Sequence, residues 1–238
     1  MVSSFASRRL SSSLVIIALA AGLLGLAQGT SNAAVTTRGP AVEASKLSLN
    51  ASPREIDYGR TIVVKGKLLV AADDTPLDEQ QVTLSQRLFG QDNFRNVATD
   101  MTNAQGVYSF RVKAKKFVKF RATFAGNGTQ DASESAIDEV RVRRVVKAGL
   151  TDARIRVGER TRLVGSIAPK QRGVDIAAFV KAPSGKWKPF IVEKTERNGR
   201  FSWPMTSTRE GRFVIRVVTR ASDGLEPGVS RQLTLRAR

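Results

Sequence analysis

One stretch that occurs twice constrains this chain more than any other feature. Thr102-Asn103-Ala104-Gln105-Gly106-Val107-Tyr108-Ser109-Phe110 is echoed by Thr195-Glu196-Arg197-Asn198-Gly199-Arg200-Phe201-Ser202-Trp203. Each copy reads as a tight turn closed by glycine, then a strand with an aromatic residue at every second position. A duplicated unit of this kind sets the domain count before anything else is argued. It is architecture rather than chemistry. The duplication runs further: Val157 to Ile167 aligns with Tyr58 to Leu68, both glycines of each segment falling in register. Arg216 aligns with Arg121 and Ser230 with Ser135. Phe94 and Trp187 each stand eight residues before the repeat threonine.

Between these landmarks the pattern is β throughout. Thr61 to Leu69 is rich in β-branched residues, and Gln81 to Leu88 alternates polar and apolar. Phe94 to Met101 makes a further strand. Val118, Phe120, Ala122 and Phe124 share one side of the next, opposite Lys119, Arg121 and Thr123. Val140 and Val142 belong to a closing strand. About seven short strands per copy with no helical periodicity predict an all-β chain of two tandem immunoglobulin-like β-sandwiches. The expected domains are 46–143 and 144–238, with Arg143 to Leu150 as a short linker that limits bending.

The N-terminus reads differently. Arg8 and Arg9 precede an apolar run from Leu14 to Leu26, and small residues follow to Ala34. This predicts a signal peptide over 1–33, cleaved after Ala33, and a polar linker over 34–45; an uncleaved anchor is the alternative. A secreted location, extracellular or at the cell envelope, follows. The chain has no cysteine, so exported domains of this size must be held by their cores alone.

A resemblance emerges from the motifs taken together. Tyr58-Gly59, the run through Gly66, Pro76-Leu77 ahead of Gln81 to Leu84, the repeat threonine with its glycine and aromatics, and Phe120-Arg121-Ala122 before Phe124-Ala125-Gly126 form a familiar series. The series resembles bacterial, actinobacterial-type secreted immunoglobulin-like repeats, and its cues are similar to those of transthyretin-like and collagen-adhesin-type repeats. The resemblance implies spacers, adhesive units or wall contacts, and it implies a fold more firmly than a ligand.

Catalysis finds little support. Without histidine or cysteine the chain lacks the usual general base, the thiolate nucleophile and the commonest metal ligands. The acidic residues Asp73, Asp74, Asp78 and Glu79 cluster in a loop, but without the spacing of a calcium-binding loop. We therefore expect no enzyme, no metal and no cofactor.

Charge is the best functional clue. Residues 46–143 carry a net +3 and residues 144–238 a net +13, out of +18 for the whole chain. Period-two geometry from Arg212 to Arg220 turns Phe213, Ile215 and Val217 inward and lines Arg212, Arg216 and Arg220 along an outer face, with Arg236 on the adjacent closing strand. Arg160 and Arg162 project from the other sheet. Lys186 and Lys188 flank Trp187, which is either a stacking residue for a ligand or a residue at the lip of the core. These positions are the expected contacts for an anionic cell-wall polymer or envelope surface. Nucleic acid is set aside, because wall polymers and anionic headgroups are the abundant polyanions outside a bacterial cell. The alternative is a structural spacer or adhesin fragment that binds a surface protein.

Overall fold

The computed structural model describes residues 42–238; the expected signal segment, 1–33, and the linker as far as residue 41 lie outside the described residues. The first half forms β1 (Ser45–Leu47), β2 (Asn50–Ser52), β3 (Glu55–Asp57), β4 (Thr61–Val70), β5 (Gln81–Leu88), β6 (Arg95–Met101), β7 (Val107–Lys113), β8 (Val118–Phe124), β9 (Ser133–Glu134) and β10 (Asp138–Arg143). The second half forms β11 (Val145–Leu150), β12 (Arg154–Ile155), β13 (Arg160–Ala168), β14 (Asp175–Lys181), β15 (Trp187–Lys194), β16 (Arg200–Thr206), β17 (Gly211–Thr219) and β18 (Leu233–Ala237). The only helix among the described residues is a single 3-10 turn at Arg197–Gly199.

Each half is a sandwich of two sheets in the immunoglobulin-like order. In the first, β4 pairs with β1 and β2 along one side and β7 along the other, facing a sheet ordered β3-β10-β8-β5-β6. In the second, β11-β13-β16 faces β12-β18-β17-β14-β15. Within these sheets the pairings β3–β10 and β12–β18 are parallel and the other strand pairs antiparallel, so the two halves share one topology. The alternation read from the sequence explains why. Val118, Phe120, Ala122 and Phe124 are buried, as are Ile215 and Val217, while the residues between them are only partly buried. Each of the valine, isoleucine and phenylalanine side chains adds roughly 1.5–3 kcal/mol when fully removed from water.

The repeat threonine has a structural role in both copies. Thr102 Oγ1 donates to the Leu77 carbonyl at 2.6 Å and accepts from Gln80 N at 2.9 Å. Thr195 Oγ1 donates to the Gln171 carbonyl at 2.7 Å and accepts from Val174 N at 3.1 Å. A buried hydroxyl satisfied both ways ties the incoming loop to the start of the turn. Gly106 and Gly199 then close the turns at φ of 68° and 67°, a conformation that a Cβ would strain.

One expectation is corrected. Arg143 to Leu150 is not a linker: β10 ends at Arg143, β11 begins at Val145, and Arg144 alone lies between them. Its side chain is fully buried, and its terminal nitrogens donate to Gln171 Oε1 at 3.1 Å and Ser222 Oγ at 2.7 Å. Burial lowers the pKa of this guanidinium, and Asp223 partly restores it. The loop that carries Ser222 reaches into the first sandwich. Glu226 N donates to the Val142 carbonyl, Phe117 N donates to the Gly224 carbonyl, and Leu225 joins the first hydrophobic core.

Candidate functional site

The duplication makes the first sandwich an internal control for the second. Aligning the halves by their registers places Glu55 and Asp57 opposite Arg154 and Arg156, because Tyr58-Gly59 matches Val157-Gly158. It also matches Arg141 with Arg236 and Arg143 with Arg238. In the first sandwich, Arg143 pairs with Glu55 at 3.1 Å and with Asp57 at 3.0 Å, and Lys119 pairs with Glu139. Arg121 pairs with Glu134 at 2.9 Å. The acids have no counterparts in the second sandwich: Arg154, Arg156, Thr234 and Val229 occupy their positions. Its basic surplus is therefore partly an excess of arginine and partly a loss of the acids that would neutralise it.

Strand register concentrates this charge. Arg154 on β12 lies opposite Arg236 on β18, which lies opposite Arg212 on β17. Adjacent strands are ~4.8 Å apart, so the three residues form a transverse row on the outer face. Arg238 extends the row at the end of the sheet, and Gly211 adds no side chain to the groove of about 380 Å³ that these residues line. Among the described residues none of the four arginines forms an ion pair through its side chain, and neighbouring Asp152, Glu159 and Glu210 form none with them. The Arg238 O accepts from Val157 N at 3.0 Å.

The other expected residues are distributed more widely. Arg216 lies 4.2 Å from the Trp187 ring centroid and 5.8 Å from that of Phe179, with its Nε buried and unpaired. Arg121 stands over Phe94 at 4.7 Å in the first sandwich, so Trp187 fills the same stacking position as Phe94 and is half-buried by it. Arg220 is exposed beside Asp175, whose carboxyl is held below its usual range chiefly by Lys194 at 2.5 Å, with Arg220 a smaller contributor. Lys186 and Lys188 are exposed on the turn and first residues of β15. Arg160 and Arg162 lie on the opposite sheet, where Arg162 Nε donates to Ser202 Oγ at 2.9 Å. Besides Arg216 on Trp187, the fold thus brings Arg212 and Arg236 side by side. Arg154 and Arg238 complete their row and are not found by alternation, although extending the repeat alignment a few residues upstream of Val157 exposes the exchange of Glu55 for Arg154.

A second surface differs between the halves. In the first sandwich Ser109 N donates to Asp100 Oδ2 at 2.8 Å, tying edge strand β6 to edge strand β7. The aligned pair in the second is Glu193 and Ser202, and no such bond joins them. There a cleft of about 430 Å³ opens between β15 and β16, lined by Phe190, Ile191, Pro204, Met205 and Phe213 among others. Phe190 and Val192 on the free edge are exposed by 42% and 72%.

Among the described residues no three His, Cys, Asp or Glu side chains converge to hold a metal ion. Asp73 accepts from Thr75 N, which lowers its pKa, and Asp74 pairs with Lys46.

No protein-family model matches the chain, and comparison with curated proteins finds no match. Solved structures that align with it include the Yersinia pseudotuberculosis adhesin InvE, at 16% identity and a TM-score of 0.36, covering 79% of this chain and 58% of that one. The tetra-tandem repeat of a large adhesion protein aligns at 12% identity and a TM-score of 0.34, covering 80% and 49%. Invasin, a bacterial integrin-binding protein, aligns at 14% identity and a TM-score of 0.39, covering 81% and 39%. The chain spans about half the length of the first two. Superpositions at this level assign it neither activity nor partner.

Proposed function

We propose that this chain is a non-catalytic, extracellular or envelope-associated binding module of the adhesin or spacer type, which takes a protein partner along its second sandwich. The carrying observation is the free edge of β15 beside the open cleft, where the first sandwich is tied shut by Asp100. An extended segment that pairs with β15 would satisfy its outward backbone groups and cover Phe190 and Val192. Pro189 and the flanking Lys188 and Lys194 restrict such pairing to a short stretch, which guards the edge against indiscriminate strand addition. A pull-down from envelope fractions at high salt tests this. Wild type should retain a protein that the double variant Phe190→Asp, Val192→Lys loses; a catch indifferent to both substitutions sinks the reading.

A second reading is favoured by the unpaired arginine row. Here the basic half holds the chain to an anionic envelope polymer, with Arg160, Arg162, Lys186, Lys188, Arg212, Arg216, Arg220 and Arg236 supplying charge and Trp187 a stacking face. Counterion release would govern such retention, so it should fall steeply as salt rises from about 50 to ~300 mM. Washing cells across that range measures it, and release that ignores ionic strength would rule the reading out.

A further inference from the structure

We infer that the row Arg154–Arg236–Arg212, extended by Arg238, is a dedicated site for a linear polymer of phosphodiester or phosphate groups, laid across the end of the β12-β18-β17 sheet. The inference rests on the polymer reading, and narrows it from a diffuse basic surface to one rung of the fold.

The first argument is energetic. Like charges directly opposite on neighbouring strands destabilise a sheet, and opposite charges stabilise it. The first sandwich takes the stabilising arrangement at this place, with Glu55 opposite Arg141 and both Glu55 and Asp57 bonded to Arg143. The second sandwich sets Arg154 opposite Arg236 and Arg236 opposite Arg212. A bound anion removes that cost, whereas surplus charge for solubility has no need to stack three guanidinium groups in one row.

The second argument concerns what else could cover this end. At the equivalent end of the first sandwich, Phe89 and Phe117 receive the Ser222–Glu226 loop, with Phe117 N bonded to the Gly224 carbonyl. Ala182 and Arg212 stand at the matching positions of the second. The aromatic pair that docks the next sandwich is replaced by a small residue and a cation. This end is therefore built against repeating the same junction.

The third argument selects phosphate. Arginines on strands ~4.8 Å apart leave room for an anion between each pair of guanidinium groups. A tetrahedral phosphate directs its oxygens out of any single plane and so meets forks on two strands at once, whereas a carboxylate presents its oxygens in one plane. Phosphodiesters also stay charged across the ordinary pH range, so occupancy needs no titration.

The test uses the full chain with linear inorganic polyphosphate as probe, measured by titration at about 50 and about 200 mM salt. Arg154→Glu with Arg156→Asp restores the first sandwich's pattern and should weaken binding at least ~10-fold, lowering the log–log salt slope by about 1–2. The melting temperature of this double variant should not fall, because the introduced glutamate would face Arg236 as Glu55 faces Arg141; that separates lost binding from lost folding. Arg160→Glu with Arg162→Glu, on the opposite sheet, should cost no more than ~3-fold. Equal losses from the two double variants overturn the rung while leaving the polymer reading intact. No binding by wild type at the lower salt sinks both. Polyglutamate bound as tightly as polyphosphate overturns the choice of phosphate. Concentration-dependent self-association abolished by Arg154→Glu, without polyphosphate binding, would assign the row to a second copy instead.

Discussion

Gly165→Ala is expected to unfold the second sandwich under conditions where the wild type is stable, at a cost of about 3 kcal/mol or more. Gly165 lies on β13 opposite Phe201, and the aromatic ring crosses directly over the glycine. A Cβ there would fall well inside contact with the Lys147 carbonyl and the tip of the ring, with Phe201 Cε1 at 2.7 Å. Neither can yield cheaply. The carbonyl belongs to β11, paired with β13, and Phe201 is buried in the core. Displacing the ring would also disturb Trp203, stacked on it at 4.6 Å between centroids. Gly149, across the same strand pair and with open space around it, is the control; its alanine variant should lie within about 0.5 kcal/mol of wild type. Both tryptophans, Trp187 and Trp203, sit in the second sandwich, so denaturant unfolding followed by tryptophan emission reads this half directly. An unchanged midpoint for Gly165→Ala would mean that the ring does not lie where the structure has it.

The first sandwich repeats the device. Gly66 pairs with Tyr108, whose ring crosses it and whose hydroxyl donates to the Ser48 carbonyl. Burial pushes the phenol well above its usual pKa, so it stays neutral and remains a donor. Gly66 and Gly165 are visible in the sequence as paired glycines in aligned strands, and the aromatics as the hallmark of the repeat. What the sequence does not convey is that the ring of one covers the backbone of the other, because that depends on the register between strands far apart in the chain.

The strands themselves are largely legible for the same reason: period-two burial writes itself into the order of apolar residues. The pattern predicts a strand over Phe94 to Met101, and Arg95–Met101 is one. The charge of the second half is equally plain, and Arg212 with Arg236 emerges from alternation together with the strand order of an immunoglobulin-like sandwich. Arg154 does not, because it sits on a two-residue strand too short to show any periodicity. Its meaning depends on a partner, Arg236, at the far end of the same half. Arg216 is legible as outward-facing, but its place between Trp187 and Phe179 requires three strands to be assembled.

The junction is least legible, and it carries the other large prediction. Arg144→Ala should lower stability by about 2–4 kcal/mol and separate the unfolding of the two sandwiches. Two effects oppose each other here. Removing a buried guanidinium with an unpaired Nε relieves a desolvation cost, which favours the variant. Against it stand the lost bonds to Gln171 and Ser222 and the cavity left by a long side chain 1% exposed. The partners are near the surface and can rehydrate, so the cavity and the freed loop dominate. That loop is the consequential part, because Leu225 is a member of the first core and Glu226 bonds to the Val142 carbonyl. Once Arg144 no longer holds Ser222, the second sandwich loses its grip on the first. Wild-type tryptophan emission, which reports the second sandwich, and far-UV circular dichroism, which reports both, should give one midpoint. In Arg144→Ala the two should diverge. Arg144→Met fills much of the cavity without anchoring the loop, so it should recover part of the stability and still show split transitions. Coincident midpoints in both variants would mean that the loop stays docked without Arg144, and that the backbone bonds of Gly224 and Glu226 suffice to join the halves.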